Sequence, residues 1–184
     1  GHGKNKIGFE ENTDLIKDIR NNIVEGRKNI FILDDVCDIV GILRDELTNS
    51  LRIANKLDKV NIHSLCNRSV GVDMLSILAN HKDISVEYLI TDITFGGNEK
   101  INGKKIIVDG IDVLIIAKNT LTIDEYVIFT GNILSESNVN SYNFAKKFEK
   151  YLGESILDHA IIKDSAINMD VSVDNLFGNI IKGL

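Results

Sequence analysis

Helical and strand-like patterns alternate through the first half of the chain, and this alternation limits the fold more than any other feature. Asn12-Thr13-Asp14 is a helix N-cap signal that precedes apolar residues at helical spacing. Short apolar segments typical of strands follow at 29–33, 58–65 and 84–90, with helical spacing at 39–57 and 70–79 between them. Strands separated by helices pair in parallel through crossovers. The pattern therefore predicts an α/β fold with a mixed, largely parallel sheet flanked by helices.

The second half of the chain changes character. Two apolar runs, Lys104–Val108 and Val113–Ala117, are joined by Asp109-Gly110-Ile111-Asp112. A link centred on Asp-Gly is typical of a tight turn, so we expect these runs to form a β-hairpin. Beyond it, the sequence predicts a strand, a long helix and a short final helix, at 126–129, 138–152 and 175–181.

Length and charge exclude several classes of protein. The 184 residues fit one domain spanning 1–184, since domains commonly run to roughly 100–200 residues. The net charge of −6 disfavours a nucleic-acid-binding surface. No apolar run reaches the roughly 20 residues of a membrane span. Cys37 and Cys66 have no metal-ligand spacing and are interpreted as two buried thiols in a reducing compartment, which favours a cytoplasmic protein.

Candidate functional residues follow the first two predicted strands. Asp34 and Asp35 come after the first, and ligands of open parallel sheets bind beyond the carboxyl ends of strands, so the pair could hold a metal or a ribose. The alternative is that these two residues cap the following helix. Arg68 follows the second strand and is either an anion ligand or a solvated loop residue. Zinc-binding histidine patterns, GxGxxG and GxxxxGK[ST] are missing, so we expect no cofactor.

The segment from Asn102 to Gly110, NGKKIIVDG, resembles the HxKxxxxDG motif of the phospholipase D superfamily. Asn102 stands where that family has its nucleophilic histidine, and a carboxamide can neither attack phosphorus nor shuttle protons. The resemblance implies that Lys104 and Asp109 keep the positions of the phosphate-binding lysine and the supporting aspartate, and that Asn119 lies near the expected asparagine.

In outline the resemblance covers residues 12–152, with 153–184 as a C-terminal extension. The layout is most similar to the degenerate phospholipase D-like effector domain of TrmB-type archaeal transcriptional regulators. That resemblance implies a non-catalytic domain that binds a small-molecule effector through Asn102, Lys104, Asp109 and Asn119. It further implies a homodimer and a DNA-binding domain preceding this chain in the full protein.

Two other functions remain open from the sequence. One is a metal-dependent phosphodiesterase or nuclease on a Rossmann-like sheet, which would use Asp34, Asp35, Glu87 and Lys104 with a divalent cation. The other is an interaction module that pairs through an aromatic helix face formed by Tyr142, Phe144, Phe148 and Tyr151.

Overall fold

A computed structural model describes residues 11–95, 99–101, 104–120, 123–131, 139–162 and 177–184. Its strands are β1 (Lys28–Leu33), β2 (Val60–Leu65), β3 (Tyr88–Thr91), β4 (Glu99–Ile101), β5 (Lys104–Ile106), β6 (Glu125–Thr130) and β7 (Ala160–Ile162). The helices are α1 (Thr13–Asn22), α2 (Cys37–Ile53), α3 (Val70–Asn80), α4 (Gly110–Thr120), α5 (Val139–Leu152) and α6 (residues 177–182).

Five of the strands form one sheet in the order β2-β1-β3-β6-β7, and every neighbouring pair is parallel. Leu33 at the end of β1 lies opposite Leu65 on one side and Thr91 on the other. This is the 2-1-3-4-5 order of flavodoxin-like doubly wound folds, to which receiver domains also belong. The predicted α/β class is confirmed, and the main sheet is entirely parallel rather than mixed.

Helices cover both faces of this sheet. One apolar cluster packs α1, α3, α4 and α5 against one face, and a second packs α2 and α6 against the other. A sheet covered on both faces needs strands that are apolar on both sides, which is why NIFIL reads as a continuous apolar run. Within the described ranges, none of the helices combines the length and apolarity that crossing a membrane requires.

The predicted hairpin around Asp109-Gly110 is wrong. Residues Gly110–Thr120 form helix α4, and Lys104–Ile106 instead pairs with Glu99–Ile101 as a separate antiparallel hairpin, β4–β5. The helix is started by a reciprocal cap: the Asp112 amide donates to Asp109 Oδ1 at 2.8 Å, and the Asp109 amide donates to Asp112 Oδ2 at 3.0 Å. Two acidic residues three positions apart therefore satisfy helical amides rather than flank a strand turn.

The two cysteines are not separate thiols, because a disulfide joins Cys37 to Cys66. Cys37 is the first residue of α2, and Cys66 follows β2 directly. The parallel register of β1 and β2 brings these positions together, with Cα atoms 4.9 Å apart, inside the usual range for a disulfide. The register of two strands is tertiary information, which cysteine spacing does not carry.

Candidate functional site

Three aspartates meet at the carboxyl edge of the parallel sheet. Asp34 and Asp35 follow β1, Asp92 follows β3, and one carboxylate oxygen of each lies within 4.8 Å of the others. The backbone ladder continues into this cluster, since the Asp34 amide donates to Leu65 O at 3.1 Å and the Asp92 amide to Leu33 O at 3.0 Å. The site is therefore built on rigid strand ends.

Local hydrogen bonds orient two of these carboxylates. Asp34 Oδ1 accepts from the Val36 amide at 3.0 Å, and Asp92 Oδ1 accepts from the Ile93 amide at 2.7 Å. Asp34 is 2% exposed, whereas Asp35 and Asp92 are half-buried and so can be reached from solvent. Carboxylates held this close repel one another, and a divalent cation coordinated by oxygen offsets that repulsion.

The cluster lies at the topological switch point of the sheet. From β1 the chain crosses to β2 on one side, and from β2 it returns to β3 on the other side of β1. The connections after β1 and β3 therefore diverge and leave a crevice beyond these two strands. Asp34 and Asp35 follow the strand on one side of this switch point, and Asp92 follows the strand on the other.

Helix α4 begins directly against Asp92. The Gly110 amide donates to Ile93 O at 2.7 Å, and a Cβ at position 110 would overlap the Asp92 carbonyl oxygen and lie 2.9 Å from Thr91 Oγ1. Only glycine allows this approach. Gly110 thus helps to position Asp92, a role that the hairpin predicted from the sequence did not suggest.

The beginning of α4 is also tied to α5. Lys147 Nζ lies 3.0 Å from Asp109 Oδ2 and 2.5 Å from Asp112 Oδ1. Burial raises the pKa of Asp109, and the hydrogen bond from Lys147 only partly opposes this effect. Burial also acts to lower the pKa of Lys147, but its bonds to Asp112 and Asp109 outweigh burial and leave that pKa raised. Asp109 is therefore a helix cap and ion-pair partner in this structure.

A buried threonine ends the strand on the far side of β3. Thr130 is the last residue of β6 and is fully buried, and β6 pairs with β3 so that Ile128 lies opposite Thr91. Thr130 thus lies at the same edge of the sheet as Asp92. In the sequence, the residue after β7 is Lys163, which lies outside the described residues.

The other predicted site residues lie outside this carboxylate cluster or outside the described residues. Asn102 lies outside the described residues, and Lys104 begins β5. Asn119 is exposed near the end of α4, and Arg68 is exposed between β2 and α3. Of all the predicted residues, the structure brings only Asp34 and Asp35 into the described carboxylate cluster.

Glu87, which the phosphodiesterase hypothesis includes, lies at the opposite edge of the sheet. It precedes β3, and its Oε2 accepts from the Asn29 amide at the start of β1 at 2.6 Å. The acidic set proposed from sequence is therefore not gathered in one place. Asp92 is the residue that completes the cluster, and sequence reasoning missed it, although it follows an apolar strand just as Asp34 does.

A buried polar network lies beside α1, away from the carboxylates. His63 on β2 is 3% exposed, and its Nε2 donates to Asn29 Oδ1 at 2.9 Å while its Nδ1 accepts from Asn22 Nδ2 at 3.4 Å, the assignment in which both ring atoms are satisfied. Burial, helped by the charge of Arg44, lowers the pKa of His63 to about 4. His63 is thus a neutral structural histidine.

Comparisons with known proteins give two distant structural likenesses. No family model and no curated protein matches the chain. A fusion carrying the yeast Spc42 trimeric coiled coil is similar over 85% of this chain and 79% of that one, with 10% identity and a TM-score of 0.49. The response regulator TrrA from Thermotoga maritima, in complex with Mg²⁺–BeF, is similar over 85% of this chain and 99% of that one, with 18% identity and a TM-score of 0.46. Likenesses this distant do not bear on the chemistry of the site.

Proposed function

We propose that this chain is a receiver-type regulatory domain, in which Asp34, Asp35 and Asp92 bind a divalent cation such as Mg²⁺ and Asp92 accepts a phosphoryl group. The observation that carries this proposal is the three-carboxylate cluster at the switch point of a parallel sheet. The domain would report the arrival of the phosphoryl group to the rest of its protein.

The preference for Mg²⁺ follows from the donor set. Mg²⁺ takes oxygen ligands, is commonly held by one or two protein carboxylates, and fills its remaining positions with water and phosphate oxygens. Asp34 and Asp35 are adjacent in sequence at the end of β1 and can supply such carboxylates. A cation held there would neutralise charge on an incoming phosphoryl group, which otherwise meets an acidic cluster.

Asp92 is the best-placed acceptor. Its strand lies between β1 and β6, so its half-buried carboxylate has the acidic pair on one side and the end of β6, with Thr130, on the other. Aspartate carboxylates form acyl phosphates in other phosphoryl-transfer proteins. A carboxylate oxygen of Asp92 would attack phosphorus, the bond from phosphorus to the donor oxygen would break, and the donor would leave with that electron pair.

The proposal retains the sensory role expected from the sequence and replaces the unknown effector with a cation and a phosphoryl group. A phosphoryl group on Asp92 would provide a signal to a partner domain or to a second copy of the chain. The expected homodimer and linked DNA-binding domain therefore remain compatible proposals. The phospholipase D-like arrangement has less support, because Val113–Ala117 belongs to α4 rather than to a hairpin strand.

Incubation with acetyl phosphate and Mg²⁺ tests this function. We expect the intact mass to rise by one phosphoryl group per chain, and hydroxylamine to remove it, as it does from an acyl phosphate. Asp92→Asn should abolish the modification, and chelation of Mg²⁺ should prevent it.

Asp58→Asn is the matched control, because Asp58 is an exposed aspartate ahead of β2, away from the carboxyl edge. This variant should be modified like the unaltered chain. Unchanged modification of Asp92→Asn would refute the assignment of the acceptor. If the chain instead hydrolyses a generic phosphodiester with Mg²⁺ and loses that activity in Asp35→Asn, the same cluster would serve a metal-dependent phosphodiesterase, the alternative that the sequence left open.

A further inference from the structure

We propose that the Cys37–Cys66 disulfide is a redox control of the carboxylate site: the oxidised chain binds the divalent cation tightly, and the reduced chain binds it weakly. This inference rests on the proposed function, because it concerns the cation held by Asp34, Asp35 and Asp92. It adds a second input to the domain, the thiol–disulfide state of its surroundings.

The first support is the position of the bond. Cys37 begins α2 only three residues after Asp34. Cys66 directly follows Leu65, the last residue of β2, whose carbonyl oxygen accepts a hydrogen bond from the Asp34 amide. The disulfide therefore ties the short connection between β1 and α2 to the end of β2. Two of the three cluster aspartates lie in that connection. A covalent link at this point limits how far Asp34 and Asp35 can move relative to β2.

The second support is that no side chain caps the beginning of α2. Val36 is its N-cap residue, and in the described structure no side chain caps the helix there. The first helical amides that bond back to this turn are those of Ile39 and Val40, which donate to Val36 O at 3.1 and 3.2 Å. A helix start without a side-chain cap is held less firmly than a capped one, so the disulfide adds a covalent restraint where the cap is missing.

The third support is access. The disulfide lies at the edge of the sheet, with Cys37 exposed and Cys66 half-buried against the second apolar cluster. Thiol–disulfide exchange requires that a thiolate reach a sulfur atom, and this bond meets that condition. A domain of this size buries enough apolar surface to fold without a disulfide, which leaves the bond available for regulation.

Reduction by a dithiol is a balanced step. One thiolate of the reagent attacks one cysteine sulfur and forms a mixed disulfide as the other cysteine leaves as a thiolate. The second thiol of the reagent then displaces the remaining cysteine. Two electrons pass to the protein, which gains two thiols, while the reagent becomes a cyclic disulfide.

The test compares Mn²⁺ affinity in the two redox forms. The chain is reduced with dithiothreitol, freed of reagent by gel filtration under argon, and titrated with Mn²⁺ beside the oxidised chain, with free Mn²⁺ followed by electron paramagnetic resonance. Ellman's reagent verifies two thiols or none. Removing groups that support metal ligands weakens affinity by on the order of tenfold or more, so we expect the dissociation constant to rise by about tenfold on reduction.

The double variant Cys37→Ser/Cys66→Ser is the matched control. It should bind Mn²⁺ like the reduced chain and should not respond to dithiothreitol. If it does not fold, as judged by circular dichroism, the comparison of the two forms of the unaltered chain still decides the question. Equal affinity in both forms, or tighter binding by the reduced form, would overturn the redox inference alone. Failure of the oxidised chain to bind Mn²⁺ would instead overturn the proposed function.

Discussion

Gly110 packs against the backbone of Asp92 so closely that no larger residue fits: a Cβ at position 110 would overlap the Asp92 carbonyl oxygen. The beginning of α4 and the end of β3 are thereby fixed to each other, and Asp92 is held at the crevice. This contact links a glycine that sequence patterns place in a turn to the residue proposed to accept the phosphoryl group.

Gly110→Ala should therefore impair both stability and cation binding. Either α4 or the end of β3 has to move, and overpacking of this kind costs about 1–3 kcal/mol of unfolding free energy. Urea unfolding and Mn²⁺ titration would measure the two effects. Gly41→Ala is the control, since Gly41 lies on the exposed side of α2 with open space around its Cα. It should leave Mn²⁺ affinity unchanged and raise stability by up to about 1 kcal/mol.

Mg²⁺ should stabilise the domain, and Asp35→Asn should remove most of that stabilisation while making the cation-free domain more stable. At roughly 100 times its dissociation constant, a ligand adds about 2.7 kcal/mol to the unfolding free energy. Asp35→Asn should lose most of that gain, yet without cation it should be more stable than the unaltered chain by about 1 kcal/mol, because one repelling carboxylate is removed. Chemical unfolding with and without Mg²⁺ measures both. A variant less stable than its parent in chelator would contradict the repulsion argument.

The stability contributed by neutral His63 should depend on pH below neutrality. The pKa of His63 is about 4 in the folded chain against 6.5 for an unperturbed histidine. Because the unfolded chain takes up this proton first, the contribution is complete above pH 6.5 and is lost as the pH falls from 6.5 towards 4, by about 3 kcal/mol at most. The measurement is the unfolding free energy against pH for the unaltered chain minus that of His63→Gln. A difference that does not change across this window would contradict the prediction.

Lys147→Met should destabilise the domain by about 1–2 kcal/mol, because Asp109 and Asp112 would lose the cation that bridges them. Thermal or urea unfolding would show it. Lys150→Met on the same helix removes an exposed charge and should stay within about 0.5 kcal/mol of the unaltered chain. Equal effects of the two substitutions would mean that the bridge to α4 contributes nothing.

Much of the fold could be predicted because local patterns and tertiary structure agree through residue 91. The N-cap at Asn12 is observed, with the Leu15 amide donating to Asn12 Oδ1 at 3.2 Å, and the three apolar segments form β1, β2 and β3. The prediction failed at Val113–Ala117, where five consecutive apolar residues on a well-buried helix resemble a strand. The signal that would have corrected it is the Asp109–Asp112 cap.

The candidate site could be predicted only in part. Asp34 and Asp35 were identified because an open parallel sheet binds ligands beyond its strand ends. Asp92 satisfies the same rule, but its proximity to Asp34 depends on β3 pairing with β1 rather than with β2, which no local pattern specifies. The disulfide was missed for the same reason, since it depends on the register between β1 and β2.

The strand order also has a kinetic consequence. In the five-stranded sheet of the described residues, the chain between any two neighbouring strands contains at least one helix. No two adjacent strands can therefore form a local hairpin. The chain must close long loops before any pairing contributes energy, and such topologies fold slowly for their size. During synthesis the outer backbone edge of β6 therefore has no partner strand until β7, which ends at Ile162, has left the ribosome.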